Sequence, residues 1–338
     1  MSTVTDTLNE VSAQIDADPL ALAEARTRLN LVLEIAASYD GQLATYRSGS
    51  LAAHTMIDPV SDGDGGLILD RRSHPDLGPE GRGETPLQIV EELRSYMAPV
   101  IRKTYPKARV TTSKRGPMVH FGQPINGQNP TVDLVVALTR KEDPGLWIPN
   151  LNTRTWDASD PQRHVVLLAS GTDSQKRLRR RVIRLAKAWN NQYTDPGVSS
   201  FLLSVWAYEF IRPGMGVAAG LHALFEGAAT RLESSTSTPD PAGVSPDLKP
   251  ELPIKQVRPR LRTAADTLHE AISSTDDQDT VRAALARLYP KYISFPEQAS
   301  LADAVALLSA RKPTTTAQLG LTTTPAVIPP TRSYGDKL

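Results

Sequence analysis

The chain of 338 residues contains no cysteine, which excludes disulfides, thiolate nucleophiles and thiolate metal sites. Aromatic residues are scarce at 5%. No apolar run approaches the roughly 20 residues that a membrane-spanning helix requires. The N-terminus lacks the basic-then-apolar order of a signal segment, so a soluble cytoplasmic protein that makes no membrane contact is expected. Charge is also missing as a global feature. Lys and Arg number 38 against 37 Asp and Glu, a formal net charge of +1, which makes no overall case for long nucleic acid or an anionic membrane. No Gly-x-x-x-x-Gly-Lys-Ser/Thr occurs, so P-loop chemistry is out. No internal repeat is present. What remains is 40% apolar, enough for one large or two modest domains.

Within that background the stretch from Tyr46 to Asp70 carries the chemistry. Asp62 and Asp64 form an Asp-x-Asp that runs into an apolar, strand-like segment. Alternate residues of a strand point to the same side, so both carboxylates face one point. Convergent carboxylates build a poor core and a good cation clamp. Upstream, the Gly49-Ser50 turn offers backbone N–H groups and a hydroxyl to phosphate oxygens. Asp133 lies in the Val- and Leu-rich run from Pro130 to Leu138, which reads as a buried strand. An ionised aspartate there costs several kcal/mol unless a cation or a donor satisfies it. Three aspartates on neighbouring strands can hold two Mg²⁺ (or Mn²⁺) ions, one activating a hydroxyl and both stabilising an in-line displacement. A phosphate cradle beside a metal clamp is the equipment of phosphoryl or nucleotidyl transfer. Asp58 and Asp70 read as ordinary loop charges.

Asp18-Pro19 and Thr85-Pro86 are each a cap followed by proline and open helices, the first through about Ser38. Pro99 is expected to kink or shorten the second. Strand-like pieces follow at 108–112, 118–121 and 132–138, which suggests a mixed sheet backed by helices. From about Ser174 the character turns helical. Leu178, Val182, Leu185 and Trp189 mark one face, while Lys176, Arg177, Arg179, Arg180, Arg181, Arg184 and Lys187 occupy the others. Most such runs are solvated faces. Lys187, near the apolar edge and close to Trp189, is a candidate triphosphate contact. Ser199 and Ser200 are read first as caps of the next helix, and His54 and His164 as non-catalytic. Residues 311–338 are Thr/Pro-rich without amphipathic period and read as a disordered tail.

Gly49-Ser50, Thr55, Asp62-Gly-Asp64 and Asp133 resemble the pattern of polymerase-β-like nucleotidyltransferases. Trp147-Ile-Pro-Asn150, Trp156, Asp160-Pro161-Gln-Arg-His164, Arg184-Leu-Ala-Lys-Ala-Trp189, Ser200-Phe-Leu-Leu203 and Asp240-Pro-Ala-Gly243 narrow the resemblance to the bacterial cGAS/DncV-like nucleotidyltransferases, the CD-NTases. It spans about Leu20 to Pro296, and its strength lies in the order and spacing of short motifs. The resemblance implies an α+β, two-lobed fold. Residues 1–165 would be the nucleotidyltransferase core with its N-terminal helices, 166–310 a helical nucleotide-binding lobe, and 311–338 the tail. It further implies that NTPs, ATP among them, are joined into a cyclic oligonucleotide that activates an effector in anti-phage defence. Asp62, Asp64 and Asp133 would hold Mg²⁺, while Gly49, Ser50, Lys187 and one of Ser199 and Ser200 would meet the nucleotide. In some relatives an accessory system conjugates the C-terminus, and the end Ser333–Leu338 would suit such a partner. Ser48 stands where many relatives carry glutamine, and Gly65-Gly66 where an apolar or acidic residue is usual. The rival readings are a toxin that adds NMP to tRNA or another macromolecule, and a catalytically dead scaffold of the same fold.

Overall fold

A computed structural model describes residues 3–141, 143–274 and 276–294, so the 311–338 tail lies outside the described residues. In chain order the elements are α1 (Thr3–Gln14), α2 (Pro19–Ala36), β1 (Gln42–Ser48), α3 (Gly49–Ala53), β2 (Asp62–Leu69), α4 (Pro86–Thr104), β3 (Arg109–Thr112), β4 (Pro117–His120), β5 (Thr131–Thr139), β6 (Leu146–Asn150), β7 (Thr155–Ser159), α5 (Pro161–Leu168), α6 (Asp173–Asn190), α7 (Ser200–Phe210), α8 (Val217–Ser234), α9 (Ile254–Ser273) and α10 (Gln278–Leu288). The strands form one mixed sheet in the order β1-β2-β5-β4-β3, with β6 on the far end of β5 and β7 on β6. Among the described residues only β2 and β5 pair in parallel, in a register that sets Asp64 opposite Asp133 and Asp62 opposite Thr131.

The alternation of β2 explains its two faces. Leu67 and Leu69 join the core beneath α2 and α4, while Asp62 and Asp64 lie on the opposite side. Gly63 and Gly65 occupy the core side close under α2. A Cβ on Gly65 would lie 2.9 Å from Leu33 Cδ2 and 3.1 Å from Leu29 Cδ1, so glycine lets the helix come down on the strand. A Cβ on Gly66 would fall into the ring of buried Tyr46. The unusual Gly65-Gly66 pair is thus filled by this chain's own packing.

Asp18 caps α2 by accepting from Ala21 N at 2.8 Å, and Thr85 with Gln88 forms a capping box at α4. Pro99 does not shorten the helix. The α4 helix continues to Thr104 because Met97, Ala98 and Ile101 are buried on its core side while Pro99 is exposed. On the helical side, α6 buries Val182, Leu185 and Trp189, and Trp189 packs on Phe225 of α8. Among the described residues no helix is long and apolar enough to cross a membrane.

Candidate active site

A cavity of ≈ 860 Å³ is walled by Ser48–Ser50, Asp62 and Asp64 on one side and by Lys187, Arg180 and Ser200 on the other. Three close approaches shape its carboxylate end. Gly49 has φ +63, and a Cβ there would land on the Asp64 carboxylate. Only glycine permits both the left-handed backbone and that contact. Ser50 N–H donates to the Asp64 carboxylate. On the neighbouring strand, the turn from Ser113 to Gly116 folds back against β5, and Ser113 Oγ donates to Asp133 Oδ1 at 2.8 Å. A Cβ on Gly116 would meet the Leu134 carbonyl, so this turn too needs glycine.

The electrostatics show an acidic cluster without enough countercharge. Burial first, and then the charges of Asp62 and Asp133, push the Asp64 carboxyl up to about 7. Burial likewise raises Asp133, against the Ser113 bond that lowers it. Lys187 answers them from α6. Its ammonium donates to Thr55 O at 3.0 Å, and burial pulls it down to about 8 against the pull of Asp62 and Asp64. One lysine thus faces Asp62 and Asp64, while Asp133, close enough for its charge to raise Asp64, is not on the cavity wall.

A donor set of three carboxylates with little countercharge is what a hard divalent cation satisfies. Among the described residues, no three such side chains are already closed around one point. Two of the carboxylates accept from neighbouring hydroxyls: Ser61 donates to Asp62 Oδ1 at 2.7 Å and Ser113 to Asp133 Oδ1 at 2.8 Å. An ion that gathered them would use the remaining oxygens or displace those hydroxyls.

Of the nucleotide contacts expected from sequence, Gly49, Ser50, Lys187 and Ser200 line the cavity. Ser199 is not on that wall; its hydroxyl accepts from Leu202 N at 3.2 Å as the cap of α7. The Ser50 hydroxyl lies 3.5 Å from Met56 Sδ, and its N–H is taken by Asp64.

Sequence reasoning missed several members. Arg115 lines the cavity and donates to Pro149 O at 2.8 Å and Asp157 Oδ2 at 2.7 Å. His164, read as non-catalytic, also lines it, with Nε2 2.5 Å from buried Asp240 Oδ1 and the ring against Phe201. Burial alone would raise Asp240, but the Ser245 and Val244 N–H donors and His164 outweigh it and hold the carboxyl below its usual range. A partner 76 residues away leaves no local spacing signal.

No family model matches the sequence, and no curated protein does either. Solved structures do match. Bradyrhizobium diazoefficiens CD-NTase CdnG, in complex with GTP, superposes with TM-score 0.64 at 16% identity over 86% of this chain and 99% of that one. E. coli MS115-1 CdnC with ATP gives TM-score 0.62 at 15% identity, covering 86% and 98%. This chain has the fold of the CD-NTases. Vibrio cholerae DncV cyclic AMP-GMP synthase, in complex with a linear intermediate, agrees with TM-score 0.54 at 13% identity over 86% of this chain and 87% of that one. In this CD-NTase fold the cavity lies between the carboxylate-bearing strands and α6.

Proposed function

We propose that the protein is a nucleotidyltransferase that joins nucleoside triphosphates, with release of pyrophosphate, into a cyclic oligonucleotide second messenger. The observation that carries this reading is Asp62 and Asp64 facing the buried Lys187 across the cavity, with Asp133 paired to Asp64 on the parallel neighbouring strand, in a CD-NTase fold. In the reaction a ribose hydroxyl oxygen bonds to the α-phosphorus of a second triphosphate, the bond to the pyrophosphate oxygen breaks, and the hydroxyl proton passes to a carboxylate of the site and from there to solvent. Asp62, Asp64 and Asp133 would hold Mg²⁺. The metal would neutralise phosphoryl charge and acidify the attacking hydroxyl. Lys187 would place its ammonium against a triphosphate and keep the Ser50–Thr55 segment in position through Thr55 O. Ser50 and Ser200 line the wall where the phosphates would lie. Phe201, Val165 and Leu168, with Phe201 against His164, offer an apolar surface in the same cavity for a base.

GTP, ATP and a linear intermediate accompany the similar structures, which supports NTP substrates here. We further propose that 1–165 act as the core and 166–310 as the nucleotide-binding lobe, that the product acts through a downstream effector in anti-phage defence, and that the protein works in the cytoplasm. The test is incubation of purified protein with labelled NTPs and Mg²⁺, followed by chromatography and mass analysis. Cyclic products support the reading. NMP transferred to added tRNA would favour the toxin instead, and no NTP consumption would favour the scaffold.

A further inference from the structure

A second cavity of ≈ 480 Å³ lies in the groove between α1 and α6. Arg177, Arg180, Arg181, Arg184 and His54 line it, and Asp16 is the single acidic residue on its wall. Four guanidinium groups against one carboxylate leave three uncompensated positive charges. Asp16 is occupied by Arg184, and Arg181 is spent on Asn9. Arg177 and Arg180 have no hydrogen-bond or ion-pair partner among the described residues, and the Nε atoms of Arg181 and Arg184 are buried without an acceptor. Crowded, partly desolvated guanidiniums of this kind carry a cost that a bound anion removes.

The spacing indicates the kind of anion. Arg177, Arg180 and Arg184 recur at intervals of three and four on α6, and Lys187 continues the same row into the first cavity. From Arg177 to Arg184 the row runs roughly 10 Å at the helical rise. A chain of phosphoryl groups fits such a row better than a single phosphate, and guanidinium forks suit phosphate oxygens. We propose that this groove is a second anion site, separate from the first cavity, which takes a compact inorganic polyphosphate.

The groove also reaches the active site. Arg180 lines both cavities. His54 ends α3 in the left-handed conformation, within a segment whose Ser50 N–H holds Asp64 and whose Thr55 carbonyl accepts from Lys187. An anion against His54 and Arg180 therefore touches the segment that links Asp64 to Lys187.

Calorimetry with tripolyphosphate and the full chain, in EDTA, tests the site. Two binding events are expected. Lys187→Ala should remove the one in the first cavity. Arg177→Glu, and separately Ser12→Glu, which adds a negative charge from the α1 side, should each weaken the other about tenfold or more with melting curves unchanged. The His54 imidazole signal, identified by its loss in His54→Gln, should shift on titration in wild type and in Lys187→Ala but not in Arg177→Glu. Pyrophosphate bound as tightly as tripolyphosphate would assign the groove to the released product, and a strong preference for tripolyphosphate would assign it to a longer chain. Both results support the site. A single event abolished by Lys187→Ala, or a second event indifferent to both groove variants, would overturn it while leaving the first cavity's reading intact.

Discussion

Replacing Asp64 with asparagine should make the metal-free protein more stable, although it removes a group proposed to be indispensable. The carboxyl sits at about 7 in the folded chain against 3.8 for an unperturbed aspartate, a difference of about 3 units. Because the folded pKa is raised, the native state holds a proton that the unfolded state has lost between these values. Stability therefore falls as pH rises from about 4 to 7. At 1.36 kcal/mol per unit the full effect is about 4 kcal/mol, and rotation of the carboxylates away from one another should reduce what is observed to about 1–2 kcal/mol. Asp133, raised as well, adds a slope of the same sign. Lys187, lowered to about 8, contributes its own slope only above that value, where stability rises with pH. Urea unfolding from pH 5 to 7.5 in EDTA isolates the carboxylates. Wild type should lose stability across the window, Asp64→Asn should lose less, and the variant should be the more stable at pH 7.5. Adding Mg²⁺ at pH 7.5 should raise the midpoint of wild type more than that of the variant. An Asp64→Asn chain less stable than wild type at pH 7.5, with no difference in slope, would refute the account of three carboxylates crowded without countercharge.

Asp62→Asn or Asp64→Asn should abolish product formation in the labelled-NTP assay while circular dichroism stays that of the wild type; retention of more than a few per cent of turnover would rule out their role. Lys187→Ala should lower kcat/KM by about 100-fold, with a raised KM for NTP, measured by initial rates. Gly49→Ala should lower stability by at least about 1–2 kcal/mol from the left-handed backbone alone, and should lower activity further by displacing Asp64, as read by denaturant midpoint and turnover together. Asp240→Ala should cost about 3–5 kcal/mol of stability by stripping His164 and the Ser245 and Val244 N–H groups of their acceptor, with His164→Ala costing less.

The legible parts of the chain were those in which local chemistry and packing agree. Asp18-Pro19 and Thr85-Pro86 announce α2 and α4 because cap and proline act within one turn, and α6 announces itself through the row from Leu178 to Trp189. The Asp-x-Asp and Asp133 were legible because charge in an apolar strand demands a partner. The elements that went unread depend on distant neighbours. The α1 helix reads as polar, yet Val4, Leu8 and Val11 are buried, with α10 among the helices packed on α1. The Gly-Ser turn proved to be the first turn of α3, and β6 and β7 are paired with each other rather than marked by alternation. Pro99 does not shorten α4, because the buried Met97 and Ile101 hold the helix on both sides of it. Ser113 and Arg115 had no signal, and His164 and Asp240 stood in two separate motifs with nothing to show that they pair, since each acts on a residue brought near only by the fold.

Close approach and charge are coupled in this site. Asp64 is buried because Gly49 lets the chain pass over it and Ser50 N–H satisfies one of its oxygens. Asp133 is held because Gly116 lets the Ser113 turn close on β5. Beneath them Gly65 brings α2 against β2, where a side chain would push the helix off the strand. Gly49 and Gly116 bring protein against a carboxylate in place of solvent, and each such approach raises the cost of its charge. A fold concerned with stability alone would put apolar side chains where the aspartates stand. Keeping the glycines and the acids together makes sense if something positively charged completes the site, and Lys187 by itself does not.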